Sequence, residues 1–152
     1  MMTAIDDRIT RTVDLAAPPD RVWRALTDHK EFGEWFQVRL NTPFRVGSVT
    51  CGTVTTPGYE GLPWEVTVRQ MEAQRLFAFT WHPYDVDPSI DRSTEPTTLV
   101  EFRLEPTAGG TRLTITESGF AALPDGRGRE AFQRNGEGWT IQAENIRRYV
   151  AV

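Results

Sequence analysis

A chain of 152 residues, 39% hydrophobic and 25% charged, has the size and balance of one globular domain, which excludes a disordered chain and removes the need for disulfide or metal staples. Its net charge of −4 argues against nucleic acid as a partner. The single cysteine, Cys51, allows no internal disulfide, fits a reducing, cytoplasmic setting and reads as a buried core thiol. Residues 1–11 lack the apolar core of a signal peptide, and no apolar run nears the ~20 residues that a membrane helix needs.

Residues 9–15, ITRTVDL, read as a strand with Ile9, Val13 and Leu15 on one face. Pro18 and Pro19 suit a first helical turn, which opens a short helix over 19–27 with the stripe Val22, Trp23 and Leu26. Asp28 and Glu31 have the spacing of a capping box, in which each side chain satisfies an orphan backbone donor. The second short helix, 29–36, then buries Phe32 and Trp35. The middle is β. Residues 44–55 are rich in Val, Thr and Gly. In 62–71, Leu62, Trp64, Val66 and Val68 alternate with Glu65, Thr67 and Arg69; in 75–82, Phe77, Phe79 and Trp81 alternate with Leu76, Ala78 and Thr80. Residues 98–104 put Thr98, Val100, Phe102 and Leu104 on one side, EPTAGGT (105–111) turns the chain, and 111–118 returns. Residues 82–98 carry three prolines and read as a loop. Asp125 is the expected cap of a last helix reaching about Tyr149, on which Phe132, Ala143, Ile146 and Val150 fall within about 40° of Trp139. Strand, two short helices, about five antiparallel strands and one long amphipathic helix make an α+β domain in which that helix covers the oily face of the sheet.

The stretches APPDRVWRALTDHKEFGEWF (17–36), LFAFTW (76–81), LTITESGF (113–120) and GW (138–139), in this order, resemble the START-like (SRPBCC) superfamily. Within it they resemble the bacterial branch akin to the activator of heat-shock-protein-90 ATPase. The resemblance runs over residues 9–150. It implies one domain, 1–152, with the helix-grip fold: a curved antiparallel sheet of about six strands wrapped on the C-terminal helix, with a cavity between them. The superfamily holds lipid and hormone binders, polyketide cyclases, oxygenase subunits and chaperone activators, so the fold does not choose the function.

The last helix gives its own sign of a hollow. Asn135, Gly136 and Gln142 lie within about 60° of Trp139, and two amides and a glycine do not fill an inward face. A buried amide without a partner costs about 1–3 kcal/mol, so water or a ligand is expected to satisfy them. The expected walls are Trp64, Phe77, Phe79, Trp81, Val100, Phe102, Phe120, Asn135, Trp139 and Gln142, a lining suited to a small organic molecule; each ring taken singly is accounted for first by core packing. Alternation along LTITESGF sends Glu117 the way of Leu113 and Ile115, towards the core. Three placements are open: a bulge near Gly119 turns it to solvent, it stands at the cavity mouth, or it is buried and paired, with Arg39, His82 and Arg112 as candidate partners.

For chemistry, Glu117 and His82 are the candidate proton-transfer groups; His29 is expected at the surface. No metal site is expected, and DVDPSIDRSTEP (85–96) fails as a calcium loop because Ile90 and Pro96 occupy the glycine and glutamate positions. No phosphate loop or nucleophile elbow occurs, and no cofactor is expected. Three functions are weighed. The first is binding of a small hydrophobic or aromatic ligand. The second is a cyclase or hydrolase acting on such a ligand through Glu117 or His82. The third is a stress-response module that activates a chaperone ATPase. The expected partners are accordingly a small hydrophobic molecule or a chaperone, and the protein a monomer or homodimer.

Overall fold

The computed structural model describes residues 7–83, 91, 93–124 and 126–151. Strands β1 (Arg8–Leu15), β2 (Val38–Leu40), β3 (Val49–Val54), β4 (Pro63–Glu72), β5 (Leu76–Trp81), β6 (Thr98–Thr107) and β7 (Gly110–Ser118) form one antiparallel sheet in the order β1-β7-β6-β5-β4-β3-β2. Helices α1 (Pro19–Thr27) and α2 (His29–Phe36) link β1 to β2, and α3 (Arg127–Val150) follows β7. The sheet has seven strands rather than about six. The extra one, β2, is three residues long, too short for an alternation to show.

The short helices begin as their sequences dictate. Pro19 opens α1, which buries Val22, Ala25 and Leu26. The Asp28 side chain accepts from the backbone N–H groups of Lys30 and Glu31 at 2.9 and 3.1 Å, which caps α2. Only half of the expected box forms. The Glu31 carboxylate turns instead to Arg21 (2.6 Å), Arg24 (2.8 Å) and the Tyr149 hydroxyl (3.1 Å). It thereby ties α1 and α2 to the end of α3.

The inward faces follow the period of two. Trp64, Val66 and Val68 on β4, Phe77 and Phe79 on β5, Val100, Phe102 and Leu104 on β6, and Leu113 and Ile115 on β7 are all buried. Helix α3, 24 residues long and thus about 36 Å, lays Ala131, Trp139, Ala143, Ile146 and Val150 against them. Its expected cap, Asp125, and most of the rejected calcium loop lie outside the described residues. Gly126 takes the N-cap position with φ 76°, a left-handed conformation in which a side chain is strained.

The reading of Cys51 as a core thiol is corrected. Thr50 and Gly52 take the inward positions of β3 and Cys51 faces out, exposed, with Sγ 3.7 Å from Glu65 Oε1. The cause is the period of two: a one-residue shift of register moves a residue to the other face.

Candidate binding site

Glu117 is on the core side of β7 and is 0% exposed. Its neighbours across the ladder are Ile9 on β1 and Val100 on β6, and pairing continues without a break to Ser118. The chain turns only afterwards, at Gly119, with φ 107°. The bulge and solvent placements are therefore overturned. None of the candidate partners reaches the carboxylate: Arg112 pairs with Asp14 on the outer face at 2.9 Å, the His82 ring Nε2 lies 3.0 Å from the Glu95 carbonyl oxygen, and Arg39 is exposed.

Four neutral donors take their place. Trp139 Nε1–H donates to Oε1 at 2.8 Å and Trp81 Nε1–H to Oε2 at 2.8 Å. The Thr98 hydroxyl donates to Oε2 at 2.6 Å, and the Asn135 amide reaches both oxygens at 3.0 and 3.1 Å. The donors come from β5, β6 and α3. Hydrogen bonds to a charged group are worth about 1.5–3 kcal/mol each, which is how a carboxylate tolerates an apolar face. Among the described residues no cation joins them: Arg11, inward on β1, gives its guanidinium to the Gly136 carbonyl, the Thr140 hydroxyl and the Thr10 carbonyl, each at 2.9 Å.

Around this carboxylate four rings from four elements close on one another. Phe36 of α2 lies 5.6 Å from Trp64 of β4, which lies 6.0 Å from Trp81 of β5; Trp81 stacks at 5.9 Å on Trp139 of α3, which returns to Phe36 at 6.0 Å. Phe79 and Phe102 back the group, 5.4 Å from Trp81 and 5.8 Å from Trp139 respectively. These are edge-to-face and offset spacings that add to burial. Trp81, Asn135 and Gln142 are only half-buried, so the cluster meets solvent there.

Most of the expected walls thus assemble at one place. Phe77 sits further back, against Phe44, and Phe120 packs on Phe132. Val100 is fully buried between Phe79 and Glu117 in the ladder. Phe36 was not among the expected walls, although its place four residues after Phe32 puts both rings on one side of α2. The polar positions of α3 find protein partners rather than needing water or ligand. Asn135 holds Glu117, Gln142 donates to the Phe36 carbonyl at 3.0 Å, and the space beside Gly136 holds the Arg11 guanidinium, 3.2 Å from where a Cβ would stand. A separate open groove of about 400 Å³, lined by Ala16–Pro19 and Pro106–Gly110, contains none of the expected wall residues. Among the described residues no group of three or more His, Cys, Asp and Glu side chains is placed to hold a metal ion, and no helix is long and apolar enough to cross a membrane.

A curled antiparallel sheet gripped by one long C-terminal helix, with two short helices after the first strand, is the helix-grip fold of START-like (SRPBCC) proteins. Residues 16–151 match the family described as "Activator of Hsp90 ATPase homolog 1-like protein", and the chain belongs to that family. Among solved structures it is similar to protein MLL2253 from Mesorhizobium loti, with 26% identity, 93% of this chain and 95% of that one covered, and a TM-score of 0.73. It is also similar to DynU16, a protein of the dynemicin biosynthetic locus, with 25% identity and a TM-score of 0.71, over 95% of this chain and 47% of that one. The Aha1 dimer from Colwellia psychrerythraea shares the fold at 14% identity and a TM-score of 0.71, over 95% and 96% of the two chains. A comparison with curated proteins returned no match.

Proposed function

We propose that the protein binds a small hydrophobic or aromatic molecule between the sheet and α3, at the ring cluster, as a cytoplasmic monomer or homodimer. The supporting observation is the convergence of Phe36, Trp64, Trp81 and Trp139 on a fully buried carboxylate, beside the half-buried Trp81 and Asn135. Ring faces with a few fixed polar groups are the chemistry of small-molecule sites. The rings touch one another in this structure, so a guest enters by displacing Trp81, the ring with most solvent contact in the group of four.

A cyclase or hydrolase role for Glu117 fits less well. Oε1 already accepts from two donors and Oε2 from three, which leaves no free lone pair for a substrate proton. The family's description favours activation of a chaperone ATPase as the second reading. Against a docking patch, the exposed large apolar side chains among the described residues are spread out: Val46 and Val49 at one end of β3, Tyr59 beyond the other, and Ile141 on α3.

Native mass spectrometry of freshly purified protein tests the proposal. The expected result is a co-purifying small molecule that is lost on Trp139→Ala. A bare protein mass, together with capture of a chaperone in a pull-down, overturns it in favour of the second reading.

A further inference from the structure

Among the described residues the charge at the centre of this site has no counterpart. Glu117 is 0% exposed, and its donors, Trp81, Thr98, Asn135 and Trp139, are all neutral. Two indole N–H groups, a hydroxyl and the Asn135 NH₂ all point at its two oxygens, the arrangement of donors that surrounds a bound anion. Neutral donors solvate the anion but leave its net charge in place, so a cation brought near it in a low-dielectric surrounding gains Coulomb energy. The rings around it add to the same preference, since indole and phenyl faces attract cations within about 6 Å of their centroids. Trp81 is the ring that links both features. Its N–H edge is spent on Glu117 while its face stacks on Trp139 and borders solvent.

We infer that the site selects cationic guests: molecules with an apolar or aryl body carrying an amine or quaternary ammonium group, held against the ring faces near Glu117. Carboxylates and other organic anions are excluded by the same charge. This rests on the ligand-binding proposal and sharpens it, because hydrophobic burial alone does not distinguish a cation from its neutral isostere.

The test compares three phenols of similar shape on the wild-type protein: (4-hydroxyphenyl)trimethylammonium, 4-tert-butylphenol and 4-hydroxybenzenesulfonate. Binding is read from the indole N–H resonances of Trp81 and Trp139 in ¹H–¹⁵N spectra at low ionic strength. The cation is expected to bind about tenfold more tightly than the neutral phenol, and the sulfonate more weakly than either. In Glu117→Gln the ratio of the cation's affinity to that of 4-tert-butylphenol is expected to collapse towards unity. The wild-type comparison decides the matter even if that variant does not fold. Equal or tighter binding of 4-tert-butylphenol overturns cation selectivity and leaves ligand binding standing. Indole resonances unmoved by all three phenols overturn both.

Discussion

Replacing Glu117 by Gln changes one atom and reverses one hydrogen-bonding role. The carboxylate accepts from two indoles, a hydroxyl and an amide. Glutamine keeps one acceptor and turns the other position into a donor. If its oxygen stays by Trp139 and Asn135, its NH₂ faces Trp81 and Thr98; the hydroxyl can turn to accept, but the Trp81 N–H is stranded. The opposite orientation strands Trp139. One stranded buried donor costs about 1–3 kcal/mol, and the surviving bonds lose their charge assistance, worth about 1 kcal/mol or so in total after the removed desolvation of the anion is credited. The expected loss is about 2–4 kcal/mol, measured as urea unfolding followed by far-ultraviolet circular dichroism. Trp139→Phe removes one donor and keeps a ring, so in the double variant the stranded N–H is absent. The double variant is therefore expected to be less destabilised than the sum of the singles by about 1 kcal/mol or more. A Glu117→Gln protein within about 0.5 kcal/mol of wild type, or a strictly additive cycle, would falsify the hub assignment.

Two helical glycines are expected to respond oppositely to alanine. At Gly33 a Cβ would stand 2.3 Å from the Val38 carbonyl oxygen, whereas at Gly138 nothing lies within 4 Å. Thermal unfolding should show Gly33→Ala destabilised despite better helix propensity, and Gly138→Ala stabilised by up to about 1 kcal/mol; a rise in midpoint for both refutes the close approach of α2 to β2. Partial burial alone would raise the Glu31 carboxyl, but hydrogen bonds from Arg21 and Tyr149 and the Arg21 charge outweigh it and hold it below its ordinary 4.5. Its ionised form therefore adds stability above that value and loses it as pH falls through the lower folded one. The stability gap between wild type and Glu31→Gln should shrink towards zero over that acidic range, and a gap independent of pH counts against the pairing. Although Cys51 is exposed, partial desolvation of its sulfur, with the charge and hydrogen bonding of Glu65, pushes the thiol up. Cys51 should then react with a thiol reagent at neutral pH more slowly than free cysteine, and faster in Glu65→Gln; no difference between the two proteins removes Glu65 as the cause.

The sheet was legible wherever alternation ran for six residues or more. The inward series of β4, β5, β6 and β7 was readable residue by residue, as was the stripe of α3. Strand β2 was not, because three residues carry no period. The inward direction of Glu117 followed from the same alternation, yet its partners did not. A charged residue invites a search for opposite charge, and the four donors here are uncharged: two tryptophans that read as packing, a threonine and an amide. Trp81 and Thr98 stood on the predicted inward faces, and Trp139 and Asn135 on the inward side of the predicted helix. Every member of the hub was therefore placed, and only the connection was missing. The polar residues of α3 misled in the other direction. Asn135, Gly136 and Gln142 signalled a hollow, but partners elsewhere in the chain — Glu117, Arg11 and the Phe36 carbonyl — already satisfy them, and no local pattern reports contacts made 18, 125 and 106 residues away.

The ladder between β1 and β7 joins segments about a hundred residues apart in the chain. During synthesis the first strand leaves the ribosome long before its neighbour exists, and Ile9, Val13 and Leu15 have nothing to lie against until that neighbour arrives. The short helices α1 and α2 can form early, but closure of the sheet waits on nearly the whole polypeptide. Refolding is accordingly expected to be slow for a domain of this size, with protection of the β1 amides among the last to appear in pulse-labelling hydrogen exchange.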